Sequence, residues 1–132
     1  MQKIIVKLTK REFESLNHMY PNTGKSAEQI IKYYFKHKYT ECKFIHTNDG
    51  SDLTIRYKNS QESIEIKGTI AKTISWHKLK VSSQSSYDML CNGLPVYRVT
   101  GVFNREPIIY ILYYTQDFTL FPEKRWAVKA IQ

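Results

Sequence analysis

The chain has 132 residues, with 20 Lys plus Arg against 12 Asp plus Glu and a formal net charge of +8. A chain of this length buries roughly two-thirds of its unfolded surface, so we expect one domain over residues 1–132. Its 42% hydrophobic and 14% aromatic residues exclude a disordered chain. The longest apolar run, Ile108 to Tyr114, is shorter than the about 20 residues of a membrane helix, so no membrane partner is expected.

The excess positive charge favours a polyanionic partner, because cationic side chains release counterions from nucleic acid. The alternative is that the charge only keeps the protein soluble. Met1 leads into a charged segment that does not resemble a signal peptide. Cys42 and Cys91 have no metal-ligand spacing, so we expect two buried thiols in the reducing cytoplasm.

The periodicity of apolar residues and the turn residues between them predict a mixed order of helices and strands. A capping box at Thr9 and Glu12 opens the first helix, and Ser26 is the predicted N-cap of the second. In chain order, the predicted elements are a strand from Lys3 to Leu8, helices from Thr9 to about Met19 and from Ser26 to about Lys38, strands at Glu41–His46, Asp52–Tyr57 and Glu62–Gly68, a helix from Ser82 or Ser83 to Gly93, and strands at Val96–Phe103 and Ile108–Tyr114.

The hairpin made by Asp52–Tyr57 and Glu62–Gly68 places charged side chains together. A turn at Lys58 to Gln61 predicts a register in which paired numbers sum to 119, so that Asp52 faces Lys67 and Glu65 faces Thr54. Side chains alternate across a strand, so these four share one face while the aliphatic residues share the other. Two carboxylates and one ammonium group therefore converge on a surface backed by apolar core.

Neighbouring carboxylates repel each other unless a cation compensates them, and Mg²⁺ is a hard ion that prefers oxygen ligands. An adjacent lysine is suited to orienting an attacking water, an arrangement typical of phosphodiester hydrolysis. The alternative interpretation is a solvated hairpin face with cross-strand ion pairs of little energetic value.

The segments Gly50-Ser51-Asp52 and Ile64-Glu65-Ile66-Lys67-Gly68-Thr69 resemble the PD-(D/E)XK nuclease superfamily, which includes restriction endonucleases and Holliday-junction resolvases. The resemblance covers about residues 26–103. It implies an α/β fold with a restriction endonuclease-like core, in which helices flank a mixed central β-sheet in the order αβββαβ. Residues 1–25 then form a strand-helix extension, and residues 104–132 a C-terminal strand and a basic aromatic tail.

The same resemblance implies roles for individual residues. Asp52 and Glu65 would hold the metal with the backbone carbonyl of Ile66, and Lys67 would serve the attacking water. Glu28 on the first core helix and Gln84 near the start of the second are the further catalytic candidates it implies. The chain departs from the pattern at Ser51, which stands in the place of the proline.

Other segments supply candidates for binding. Asp49 is an alternative metal ligand to Asp52. The segment Lys72 to Lys80 mixes cations, hydroxyls and an aromatic, and its predicted nucleic-acid contacts are Lys72, His77, Lys78 and Lys80. The alternative is a solvated loop with Trp76 in the core. The tail from Lys124 to Lys129 either clamps a nucleic-acid backbone or packs on a neighbour.

These observations predict a Mg²⁺-dependent endodeoxyribonuclease, with Mn²⁺ as an alternative ion, that leaves a 5′-phosphate and a 3′-hydroxyl as the resemblance implies. Restriction-type, homing-type and junction-resolving activities all remain open. Cutting both strands of DNA favours a homodimer, and other subunits of a restriction or repair system are further candidate partners. The alternatives are a non-catalytic nucleic-acid-binding module with the same fold and an RNA-degrading nuclease or toxin.

Overall fold

The computed structural model describes residues 1–123 and 128–131. Within this part of the chain, the protein is mixed α/β, with an open six-stranded mixed sheet and three α-helices. The strands are β1 Gln2–Ile5, β2 Lys43–Ile45, β3 Leu53–Tyr57, β4 Ser60–Gly68, β5 Val96–Thr100 and β6 Ile108–Leu112; the helices are α1 Lys10–Asn17, α2 Thr23–Lys38 and α3 Gln84–Cys91, with a 3₁₀ turn at Trp76–Lys78.

The strands lie side by side in the order β1-β6-β5-β4-β3-β2. Strands β4 and β5 are parallel, and the other neighbours are antiparallel. A parallel pair needs a crossover connection, which here runs through the 3₁₀ turn and α3. The predicted N-terminal extension contributes β1 to the same sheet by pairing with β6.

Each face of the sheet carries its own hydrophobic cluster. On what we call the α2 face, Ile30, Ile31 and Phe35 of α2 pack against a cluster that includes Ile55 and Ile64. On the opposite α3 face, a smaller cluster consists of Leu90, Leu94, Val96 and Leu112. The alternation along β4 therefore sends neighbouring residues into two different environments.

Helix α1 begins as the sequence predicts, because the Thr9 hydroxyl accepts from the Glu12 amide at 3.1 Å and the Glu12 carboxylate accepts from the Thr9 amide at 3.0 Å. The predicted start of α2 is wrong. Asn22 is the cap, with its side-chain oxygen accepting from the Lys25 amide at 3.0 Å, and Ser26 lies buried inside the helix. The earlier cap adds a first turn that the sequence pattern did not indicate.

The remaining helix and the cysteines follow the predictions in part. Ser83 caps α3, and Gly93 after its end has φ +106°, which favours glycine. Both Cys42 and Cys91 are free, but they are half-buried rather than fully buried. Among the described helices, none combines the length and apolar character that crossing a bilayer requires.

Candidate active site

The β3–β4 hairpin has a tighter turn than predicted. Lys58 and Asn59 alone connect the strands, with Tyr57 paired to Ser60, so the predicted turn through Gln61 is wrong. Lys58 takes φ 51°, a positive value of the kind that short hairpin turns require but that Gly or Asn usually supplies. A lysine at this position therefore does not indicate a two-residue turn.

The tighter turn changes the register by two residues. Leu53 pairs with Ile64 and Thr54 with Ser63, so paired numbers sum to 117 and not to 119. Continuing this register places Asp52 opposite Glu65, where the prediction had Lys67. A shift of two residues leaves every side chain on its predicted face. The grouping of Asp52, Glu65 and Lys67 therefore survives the error.

Glu65 is the most constrained group of the cluster. Its residue is only 4% exposed, and its Oε2 has no hydrogen-bond partner within the described residues. Burial and the adjacent Asp52 carboxylate raise the pKa of Glu65 from 4.5 to about 7, against the opposing effects of Lys67 and the Ser86 hydroxyl. An anionic Glu65 is thus undercompensated by the protein alone.

Asp52 and Lys67 are the charged neighbours of Glu65 in this cluster. The Ile66 amide donates to Asp52 Oδ2 at 2.7 Å, which fixes the aspartate at the start of β3. The N–H and C=O of one strand residue point to the same edge, so the Ile66 carbonyl faces this end of β3 as well. Lys67 Nζ lies 3.8 Å from Glu65 Oε1 and is partly exposed. The predicted set of Asp52, Glu65, Ile66 and Lys67 is therefore brought together.

Glu28 reaches the edge of this cluster from α2. It lines a cleft of about 320 Å³ with Asp52, Ile66, His46 and Gly24. Its carboxylate lies 3.3 Å from Lys32 Nζ and 3.8 Å from His46 Nε2. The structure thus places Glu28 in the same cleft as Asp52, with Lys32 and His46 as competing neighbours of its oxygens.

Gly68 explains how α2 comes so close to the hairpin. A Cβ at this position would lie 2.6 Å from Ala27 Cβ and 3.1 Å from the Thr23 carbonyl oxygen, so only glycine permits the contact. The first turns of α2 therefore rest directly on the end of β4, which brings Glu28 to the cleft.

The predicted role of Gln84 is not supported by its position. Its side chain is exposed and donates to Asp88, one turn along the same helix, at 2.9 Å. Ser86, two residues later, is the α3 residue that faces the hairpin: its hydroxyl donates to the Gly50 carbonyl oxygen at 3.1 Å and acts on Glu65. Because Gln84 lies within a run of serines, the sequence pattern does not show which of these residues faces the sheet, and it did not indicate Ser86.

His46 is a second residue that the sequence pattern missed. It has no metal-ligand spacing to another histidine, and only the pairing of β2 with β3 brings it beside Asp52 in the cleft.

Asp49, the alternative ligand, instead closes its own loop. It accepts from the Thr47 hydroxyl at 2.6 Å and from the Ser51 amide and hydroxyl, which lowers its pKa to about 2.

The predicted nucleic-acid segment lies next to the site. Lys72, His77 and Lys78 are exposed, whereas Lys80 is paired with Glu123 at 2.9 Å. Trp76 is 45% exposed, which contradicts the alternative that places it in the core. Of the predicted tail contact, residues 124–127 lie outside the described residues.

A divalent cation in this cluster would bind to oxygen atoms of Asp52, Glu65 and Ile66. Within residues 1–123 and 128–131, no group of three or more His, Cys, Asp or Glu side chains is arranged to hold a metal ion. Two carboxylates and a backbone carbonyl are nevertheless a set that suits Mg²⁺, which keeps several waters. The unpartnered buried Oε2 of Glu65 is the structural observation that fits such an ion. No family model, curated protein or solved structure matches the chain.

Proposed function

We propose that the protein is a Mg²⁺-dependent endodeoxyribonuclease of the PD-(D/E)XK type. The observation that carries the proposal is Glu65, a buried carboxylate with an unpartnered oxygen, held against Asp52 and Lys67. A buried charge normally has its hydrogen bonds satisfied, and groups with perturbed pKa values in a cleft are candidates for function. The element order α2-β2-β3-β4-α3-β5 supports a restriction endonuclease-like core, because it is the order that the resemblance implies.

Each residue of the cluster has a separate task in this proposal. The Ile66 amide holds Asp52 in place, and the two carboxylates with the Ile66 carbonyl form the ligand set. Mg²⁺, or Mn²⁺ in its place, supplies neutralisation of the charge that grows on the scissile phosphate. The Lys67 ammonium donates hydrogen bonds to the attacking water and orients it in line with the bond that breaks. Glu28 and His46 line the cleft on the Asp52 side of this ligand set.

A basic groove at the opposite end of the hairpin supports nucleic acid as the substrate. Lys36, Lys43, Arg56 and Lys58 line a groove of about 520 Å³, in which Glu41 is the acidic lining residue. Such a concentration of cations attracts a phosphate backbone. One site cuts one strand, so a restriction-type, homing-type or junction-resolving activity on two strands requires a homodimer. Other subunits and a cytoplasmic location stay predictions.

The second candidate is a nucleic-acid-binding module that keeps the fold without catalysis. The observation that favours it is the lack, within the described residues, of a third acidic or histidine side chain grouped with Asp52 and Glu65 for metal binding. The module needs the basic surfaces but does not need Lys67 near the carboxylates. The two candidates therefore differ in what substitutions at the hairpin do.

Plasmid nicking distinguishes them. We expect relaxation of supercoiled DNA in Mg²⁺, none in EDTA, and at least about 100-fold slower nicking by Glu65→Gln and Lys67→Met, because each removes charge stabilisation at the phosphate. Glu14→Gln, at an exposed carboxylate on α1, is the matched control and should nick at the wild-type rate.

The substrates should include linear duplex, single strand, four-way junction and RNA in parallel. DNA binding without Mg²⁺-dependent cleavage of any of them, unchanged by Glu65→Gln, would establish the module instead. Preferential RNA degradation would identify the RNA-degrading alternative. Thermal unfolding with and without Mg²⁺ gives an independent readout, since Mg²⁺ should stabilise the wild type and leave Glu65→Gln unaffected.

A further inference from the structure

A buried arginine fixes the segment that follows β4. Arg98 on β5 is 2% exposed, and its guanidinium donates to the carbonyl oxygens of Ile74 at 2.8 Å, Gly68 at 3.2 Å and Ser75 at 3.5 Å. Burying a guanidinium is costly unless its donors are used. All of its described bonds go to the main chain of one segment, residues 68–75, so the conformation of that segment is set by the sheet beneath it.

The fixed segment presents an aromatic ring beside the active site. Ser75 takes φ 54°, and the 3₁₀ turn Trp76–Lys78 follows it directly. Trp76 is 45% exposed and lines one pocket together with Glu65 and Lys67. Nearly half of this large ring is exposed to solvent, so it contributes little to the hydrophobic core, although a buried arginine holds the segment before its turn. It is instead positioned for a flat apolar ligand.

The charges around Trp76 indicate the chemistry of that ligand. Lys72 on this segment is exposed, as are His77 and Lys78 on the 3₁₀ turn, while the pocket itself is lined mainly by apolar residues such as Leu79 and Val96. An apolar ring that shares a pocket with Lys67 and lies on the same 3₁₀ turn as Lys78 matches a nucleotide, whose base stacks and whose phosphates are anionic. Aromatic platforms beside basic grooves are the usual means of binding single strands.

We propose that Trp76 stacks on an unpaired nucleobase next to the phosphate held at Glu65 and Lys67. The inference rests on the proposed function and narrows its substrate class. A base within a continuous duplex is stacked on its neighbours, so the preferred DNA has an unpaired base at the cut, as in a single strand, a flap or a junction. A continuous duplex binds more weakly because a base must first leave the stack.

The experiment uses intrinsic fluorescence in EDTA, where no cleavage occurs. Because the chain has two tryptophans, Trp126→Phe leaves Trp76 as the only one. Saturation with a 20-nucleotide single strand should quench its emission, and the blunt duplex of the same sequence should quench it less. Trp76→Ala should weaken binding of the single strand by roughly 5- to 150-fold, the loss of one stacked base, and binding of the duplex by less than about 2-fold.

Two variants keep the test independent of folding. Trp76→Phe should retain most of the single-strand affinity, because it preserves a ring. Tyr113→Ala removes a similarly exposed aromatic, 41% against 45%, and should change neither affinity. Unchanged emission at saturation, equal losses on both DNAs, or no binding of single strand would overturn the proposal.

The nicking assay separates this result from the proposed activity. Quenching and a selective loss in Trp76→Ala, with no nicking by the wild type, would keep the stacking and discard the nuclease. Nicking by the wild type, with Trp76→Ala unimpaired on single strand and junction, would keep the nuclease and discard the stacking.

Discussion

The two faces of β4 treat two glutamates in opposite ways. Glu62 lies on the α2 face, where its oxygens accept from the Tyr57 hydroxyl at 2.9 Å and from the Tyr97 hydroxyl at 3.0 Å. Glu65, three residues later on the α3 face, has an oxygen with no described partner and a second carboxylate beside it. One strand thus carries one carboxylate with both oxygens hydrogen-bonded and one carboxylate with an oxygen that lacks a described partner.

The number of hydrogen-bond partners distinguishes a structural glutamate from a candidate functional one, which residue type alone does not. Both carboxylate oxygens of Glu62 accept a tyrosine hydroxyl. The neighbouring Tyr39 and then Glu62 raise the pKa of Tyr57, and burial and then Glu62 raise the pKa of Tyr97. Glu65 has the reverse situation, since its own pKa is raised because the protein around it favours the protonated form. A carboxylate that the fold leaves undercompensated is suited to an external cation, whereas a fully bonded one stabilises the fold.

The largest expected effect is a pH dependence of stability from Glu65. In EDTA, the folded protein keeps this proton up to about pH 7, whereas the unfolded chain releases it near 4.5. Stability should therefore fall as pH rises between these values, by on the order of 3 kcal/mol. Urea unfolding at several pH values measures the loss, and Glu65→Gln should flatten it. A wild-type profile as flat as that of the variant would remove the distinction between the two glutamates.

Glu62→Ala should lower the free energy of unfolding by about 2 kcal/mol, because it leaves the buried Tyr97 hydroxyl and the half-buried Tyr57 hydroxyl without their acceptor. Tyr97→Phe removes one of the two bonds and should cost about 1 kcal/mol. The measurement is urea unfolding at pH 8, with Glu41→Ala as the exposed control. If Glu62→Ala were as stable as the control, the tyrosine bonds would contribute nothing.

The smallest effect is expected at Ser26, whose buried hydroxyl also has no described partner. Unlike Glu65, it is uncharged, and it is fully buried on α2. Ser26→Ala should stabilise the protein by up to about 1 kcal/mol and leave nicking unchanged. Calorimetry and the plasmid assay check both parts. If Ser26→Ala were stable but inactive, an uncharged buried atom without a hydrogen-bond partner would also belong to the active site.

Much of the secondary structure could be predicted because local signals were strong. The capping box at Thr9 and the end of α2 at Lys38 follow the sequence pattern. The side-chain grouping of Asp52 with Glu65 survived a wrong turn, because alternation depends only on whether the register shift is even. The face on which each side chain lies was therefore easier to predict than the residue opposite it on the neighbouring strand.

The remaining features depend on contacts that are distant in sequence. Ser26 reads as a cap because serine favours that position, yet packing against the sheet buries it within the helix. His46 reaches the cleft through strand pairing, and Arg98 bonds a segment more than twenty residues earlier in the chain. None of these positions has a periodic signal, so only the tertiary structure shows them.

The missing side chain at Gly68 sets the spacing between helix and sheet. Any larger residue there would act as a wedge against Ala27 and lift the first turns of α2, carrying Glu28 away from Asp52. The absence of a side chain at position 68 thus sets the width of the cleft. Gly68→Ala would widen the cleft without changing any ionisable group.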